Sequence, residues 1–269
     1  MLNILAVGDV FGEPGCEFVR KYLRRIKNIE KADLVIVNAE NATTGSGTDP
    51  LEASLLFTSG ADVLTGGNHS FRRYTAFELM DSSETVLRPL NFPPDAPGKG
   101  WCIVTVRTGI RVLVISVCGQ VFMDQFDSPF TAVDRLLKEL DGRYDIAVCD
   151  FHAEATSEKQ VFAHCFDGRI NIIYGTHTHV ATADERLTER GGAYISDIGM
   201  CGGEDSVIGL TYESVVERYL LNIRRKGIAD RRNVALHGAL FTVDESSRCV
   251  TAVKRIKYTE QDFSAKNPL

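Results

Sequence analysis

A chain of 269 residues, 44% hydrophobic and 25% charged, has an ordinary globular composition and enough length to bury a sizeable core. Its formal net charge of −6 argues against broad, non-specific nucleic-acid binding and no extended duplex is an expected partner, but a locally cationic site could still take a small anionic substrate. The seven cysteines form no C-x-x-C pair, mostly sit in apolar runs and fit a reducing compartment; no apolar segment approaches the roughly 20 residues that cross a bilayer, so a cytoplasmic protein is expected.

The N-terminal "MLNILAVGDV" lacks a basic flank and ends its apolar run at Asp9, so it reads as a first strand rather than a signal peptide. Cys16 to Ile29 places Phe18, Val19, Tyr22, Leu23 and Ile26 on one helical face, with Pro14 just before it. The opposite face of Arg20, Lys21, Arg24 and Lys27 reads as a solvated surface. "ADLVIVNAEN" and "ADVLTGGNH" follow as buried strands with polar ends. "GWCIVTVRTGIRVLVIS" predicts a hairpin turning at Thr108-Gly109. Next come a helix over Phe130–Leu140, the strand "YDIAVCDFH", a helix over Ala155–Phe166 and the strand "INIIYGTHTH". The C-terminal part predicts a second hairpin turning at Asp244 to Arg248. Strand–helix alternation implies an α/β fold with much parallel pairing, and the antiparallel additions imply two packed sheets with helices outside. No linker or repeat divides the chain, so one domain over 1–269 is expected.

Polar residues collect at the ends of these strands: Asp9, then Glu40 and Asn41, then Asn68 and His69, then His152, and finally His177 and His179. Taken singly, each has a plain reading as a turn former, cap or structural histidine, as His164 and His237 do. Together they are five strand ends of metal-ligand type, and parallel strands would bring them to one rim. Carboxylates, imidazoles and carboxamide oxygens suit hard-to-borderline divalent cations, and no cysteine is implicated. Two such ions about 3.5–4 Å apart can activate a shared water and clamp a phosphoryl group for in-line attack. There is no nucleophile elbow and no Walker-type loop. The residue types therefore point to metal-assisted phosphoester hydrolysis.

The order of blocks resembles the calcineurin-like metallophosphoesterases: Asp9, Glu40-Asn41, "GNH" at 67–69, His152 and "GTHTH" at 175–179. Two departures, Phe11 where Asp-x-His is usual and Glu-Asn where a bridging Asp is common, resemble the YmdB-like phosphodiesterase branch. "GDVFGEPG", "NAENATTGSG", "DFHAEATSEK", "GTHTHVATAD" and "DSVIG" agree, carrying the resemblance at least to Gly209. It implies a four-layer αββα sandwich and a dinuclear phosphodiesterase that opens 2′,3′-cyclic nucleotides at the 2′ oxygen, through in-line attack by a metal-bridging hydroxide. One metal would take Asp9, Glu40, Asn41 and His179; the other Glu40, Asn68, His152 and His177. His69 would approach the phosphate. Manganese or iron is favoured, with zinc or magnesium as alternatives.

Gln120 stands where the branch suggests Arg, and "MCGGEDS" where a Thr-Gly-Pro-like run is expected. This makes Cys201 and Glu204 candidates for a loop near the pocket that narrows substrate choice, although Cys201 also reads as a plain small loop residue. A phosphatase or broader phosphodiesterase with the same metals is an alternative, as is a non-catalytic nucleotide-sensing regulator. Trp101 and Phe126 read as core or as a homo-oligomer interface.

Overall fold

The computed structural model describes residues 1–264. The first half of the chain forms β1 (Leu2–Val7), β2 (Asp9–Val10), α1 (Gly12–Ile29), β3 (Leu34–Asn38), α2 (Pro50–Thr58), β4 (Val63–Thr65), α3 (Thr75–Ser82) and β5 (Val86–Leu87). Then follow β6 (Trp101–Thr105), β7 (Arg111–Cys118), α4 (Pro129–Glu139), β8 (Ile146–His152), α5 (Thr156–Phe166) and β9 (Ile172–Thr176). The remainder adds β10 (Arg186–Leu187), β11 (Ala193–Ile195), β12 (Met200–Gly203), α6 (Tyr212–Leu221), β13 (Val234–Val243) and β14 (Val250–Thr259). Helix α1 starts a turn earlier than its apolar face predicts. Pro14 lies inside that first turn, where a missing N–H removes no helical hydrogen bond. Among the described residues no helix is long and apolar enough to cross a membrane.

Parallel neighbours β1, β3, β4 and β5 make the first sheet. It is extended by β13, which pairs antiparallel with β1 and β12 and, as the second hairpin, with β14. The second sheet orders β10-β11-β9-β8-β7-β6, with β7, β8, β9 and β11 parallel and β6–β7 as the expected hairpin.

Side-chain alternation assembles the layers. Leu5 and Val7 of β1, with Val35 and Val37 of β3, pack under α1 beside Phe18, Leu23 and Ile26. Leu2, Ile4, Leu34 and Ile36 face the other way, against Val112, Val114, Val148 and Tyr174 of the second sheet. That sheet's outer residues, Leu113, Ile115, Cys149 and Phe151, pack on Leu137 of α4 and Phe162 of α5. The result is the αββα sandwich. The parallel strands thus divide between two sheets, and the polar ends meet where both sheets finish.

Candidate metal centre

Asp9, Glu40, Asn41, Asn68 and His69 follow β1, β3 and β4 of the first sheet; His152 ends β8, and His177 and His179 follow β9 of the second. The structure brings all eight together. His152 Nε2 lies 3.1 Å from Glu40 Oε1, 3.1 Å from Asn68 Oδ1 and 3.0 Å from His177 Nδ1. Adjacent ligands of an octahedral ion with bonds of about 2.1 Å are themselves about 3.0 Å apart, so these spacings fit the edges of a coordination shell. A second group adjoins it through Glu40: Asn41 Nδ2 is 3.3 Å from Asp9 Oδ1, 3.1 Å from Glu40 Oε1 and 3.1 Å from His179 Nε2. Asp9, Glu40, Asn41 and His152 are buried.

Each inward-facing imidazole is fixed from behind, which a metal-ligating ring requires. His152 Nδ1 lies 2.9 Å from Thr176 Oγ1, whose hydroxyl donates to Asp150 at 2.7 Å. His179 Nδ1 meets the Ile208 carbonyl at 2.9 Å, and His177 Nε2 meets Glu154 Oε2 at 3.2 Å. These contacts leave Nε2 of His152 and His179, and Nδ1 of His177, turned inward. Thr65 and Asn38 also donate to Asp150, whose carboxyl burial pushes up to about 6. Asp150, Thr176 and Glu154 were not singled out in the sequence, although a carboxylate inside the apolar "YDIAVCDFH" signals a need for buried partners.

The electrostatics follow from packing unlike charges out of water. Burial alone would lower the His152 imidazole, but the Glu40 carboxylate 3.1 Å away raises it to about 9. Burial would raise Asp9 and Glu40, yet His179 and His152 respectively hold both below the usual carboxylate range. His177, desolvated and facing His152, drops to about 3.

Two imidazoles two positions apart reach different groups because the turn is left-handed at both, with φ +97° at His177 and +64° at His179. That unfavourable backbone is clamped. The buried Lys159 ammonium donates to the Thr176 carbonyl and to Asp197, each at 2.9 Å, while Asp197 accepts the Thr178 N–H at 3.1 Å. His177 N–H donates to Asp9 Oδ2 at 3.2 Å.

A cavity of about 560 Å³ opens over the cluster, with His69, His177 and His179 on its floor and Phe11, Ile208 and Lys226 among its walls. Phe11 sits edge-on to His179, ring centroids 5.4 Å apart. Cys201 and Glu204 do not line it, which corrects the expectation for them. Cys201 is a fully buried strand residue of β12 whose thiol faces the Gly15 carbonyl, and Glu204 pairs with His237 and Lys257. Gln120 is exposed and donates to the Phe126 carbonyl.

Residues 5–256 match the family model for the YmdB-like protein. The chain belongs to the YmdB-like family. This chain is 36% identical over 255 residues to the 2′,3′-cyclic-nucleotide 2′-phosphodiesterase of Bacillus subtilis, covering 95% of this chain and 96% of the relative. A crystal structure of a novel phosphatase from Mycoplasma pneumoniae superposes with a TM-score of 0.90 at 32% identity, covering 96% of this chain and 93% of that one. Calcineurin-like phosphoesterase YfkN of Bacillus subtilis shares the fold at a TM-score of 0.53 and 13% identity, covering 99% and 93%. The YmdB-like chain thus has a calcineurin-like phosphoesterase fold.

Proposed function

We propose that this chain hydrolyses 2′,3′-cyclic nucleotides to 3′-nucleotides at a centre of two divalent metal ions. The observation that carries the reading is the convergence of Glu40, Asn68, His152 and His177 at spacings of 3.0–3.1 Å around His152 Nε2, with the second nitrogen of each imidazole already engaged. Asp9, Glu40, Asn41 and His179 would hold one ion; Glu40, Asn68, His152 and His177 would hold the other, with Glu40 bridging. The donor set fits manganese or iron, and also zinc or magnesium. Bound there, such ions activate water and neutralise charge on phosphoryl oxygens.

The side chains of Asp9, Glu40 and the cavity-lining Glu154 offset three of the four charges of two divalent ions, so the floor keeps a net positive charge and draws in an anionic ester. His69 lines the cavity with its Nδ1 held 2.9 Å from Asn41 Oδ1. Its Nε2 has no hydrogen-bond partner among the described residues; were the Asn41 amide to turn its oxygen to a metal and its Nδ2 to His69 Nδ1, that Nε2 would carry the ring proton and could donate to a phosphoryl oxygen or protonate the departing 2′ oxygen. Phe11, Ile208 and Leu210 supply an apolar wall suited to a nucleobase. The named activity of the Bacillus subtilis relative supports the substrate class. A second reading, a phosphatase with the same centre, is favoured by the Mycoplasma pneumoniae protein.

Product analysis of adenosine 2′,3′-cyclic phosphate with Mn²⁺-loaded protein and a chelated control tests the proposal. Metal-dependent 3′-AMP is expected. A 2′-AMP product would reverse the ester oxygen that leaves. No turnover with two ions bound would sink the cyclic-nucleotide reading in favour of phosphate monoesters.

A further inference from the structure

Lys226 belongs to the irregular segment between α6 and β13, where no periodic pattern drew attention to it. The backbone just after it is tied down. Thr211 N–H donates to the Ile228 carbonyl at 2.8 Å, Ile228 N–H to Ser214 Oγ at 3.1 Å, and Asp230 N–H to the Gly209 carbonyl at 2.8 Å. Gly227 lies flat on Leu210, so close that an added Cβ would sit 2.8 Å from the leucine methyl carbons. This packing carries Lys226 to the wall of the cavity whose floor holds His69, His177 and His179.

Its neighbour Arg225 is committed to Glu217, but Lys226 has no ion-pair partner among the described residues. A solvated lysine on a cavity wall, opposite a cationic floor, offers a second anion-binding point within one ligand's reach. In a 2′,3′-cyclic nucleotide both the 2′ and 3′ oxygens are closed in the ring ester. A further phosphoryl group can therefore be attached only through the 5′ oxygen.

We propose that Lys226 selects substrates carrying a phosphoryl group on the 5′ oxygen, the chemistry shared by a 5′-phosphorylated cyclic nucleotide and by the cyclic-phosphate end of an RNA strand. The proposal rests on the phosphodiesterase reading and adds the second contact. The metal centre holds the ring ester, Phe11, Ile208 and Leu210 take the base, and Lys226 meets the 5′-linked anion. Because this contact is exposed, added salt weakens it more than the contacts on the floor.

The test compares kcat/KM of the Mn²⁺-loaded protein and of Lys226→Met on three substrates. These are adenosine 2′,3′-cyclic phosphate, its 5′-phosphorylated form, and a diadenosine ending in the same cyclic phosphate. The wild type is expected to favour the 5′-substituted esters about tenfold, as one charge-assisted contact allows. Lys226→Met should collapse that ratio towards one, and Lys226→Arg should keep it. Preference for the diadenosine over the 5′-monophosphate assigns the site to RNA ends; the reverse assigns it to free nucleotides. A wild-type ratio near one, or equal losses on all three substrates in Lys226→Met, overturns the role of Lys226 alone. No turnover of any ester by metal-loaded wild type overturns the phosphodiesterase reading and this proposal with it.

Discussion

Asn41 Oδ1 lies 2.9 Å from His69 Nδ1, while the same carboxamide turns Nδ2 towards Glu40 Oε1 and His179 Nε2, each at 3.1 Å. A cation in that group of atoms requires the amide oxygen instead, and the two ends of a carboxamide exchange by a half-turn with little change of shape. After the half-turn Nδ2 donates to His69 Nδ1, and the neutral ring must carry its proton on Nε2, towards the cavity. In the proposed centre, Asn41 thus links metal occupancy to a hydrogen-bond donor for the phosphate.

Asn41→Asp tests this link. Aspartate still offers an oxygen to the metal but cannot donate to His69, so a neutral ring keeps its proton on Nδ1. Two ions should remain bound, while kcat at pH 8 falls about 100-fold, the scale of lost general acid catalysis. Burial lowers the His69 imidazole in the wild type, but the carboxylate introduced beside Nδ1 should raise it, so activity should recover towards pH 6 as the ring becomes doubly protonated. A loss of the same size at both pH values would show that His69 does not act through its Nε2 proton.

Glu40 and His69 should separate metal binding from turnover. Glu40 touches both groups of atoms, so Glu40→Gln is expected to lower metal content from two ions per chain towards none. His69→Ala should keep both ions and lose turnover by about 100-fold or more. Elemental analysis beside kinetics decides it; equal metal loss in the two variants would refute the division of roles.

Gly67 precedes the Asn68-His69 pair, and a Cβ there would collide with Glu40 Oε2 and His152 Nε2. Gly67→Ala should therefore push these two groups apart and weaken metal binding by about 10- to 100-fold, the scale of disturbing a ligand's support. The metal-free protein should also melt lower than wild type, because the same collision parts Glu40 from the buried His152 imidazole that it stabilises. Unchanged metal affinity would mean that the cluster yields more easily than its packing implies.

The strand ends were legible because β1, β3, β8 and β9 are buried runs that stop at polar residues, and no packing explanation covers carboxylates and imidazoles gathered there. Helix α6 was not legible because it buries none of its residues, so no apolar stripe was required of it. Strand β12 was hidden for another reason. Gly202 and Gly203 read as a loop, but they let other backbone approach closely, a Cβ at Gly203 falling 2.8 Å from the Asp230 carbonyl. With β12 hidden, the sequence suggests a loop beside the pocket for Cys201 and Glu204, whereas Cys201 lies in β12 and Glu204 just after it. The hold of Lys159 and Asp197 on the His177 turn depends on contacts between residues 38 apart, which no local pattern encodes.

Metal binding should also set how stability depends on pH. In the metal-free protein His152 is raised to about 9 from an unfolded value near 6.5, chiefly by Glu40 against the opposing effect of burial. A raised imidazole contributes stability that is complete below about 6.5 and lost as pH rises through about 9. His177, held at about 3, stays neutral throughout that window, and Asp9 and Glu40, both lowered, stay ionised. A divalent ion needs the bare His152 Nε2, so binding it displaces the His152 proton and becomes more favourable as pH rises. Melting curves at pH 6.5, 7.5, 8.5 and 9 should show the metal-free protein weakening while the Mn²⁺-loaded protein holds, so that the gap between them widens. A gap that stays constant or narrows would mean that the ion does not take the place of the His152 proton.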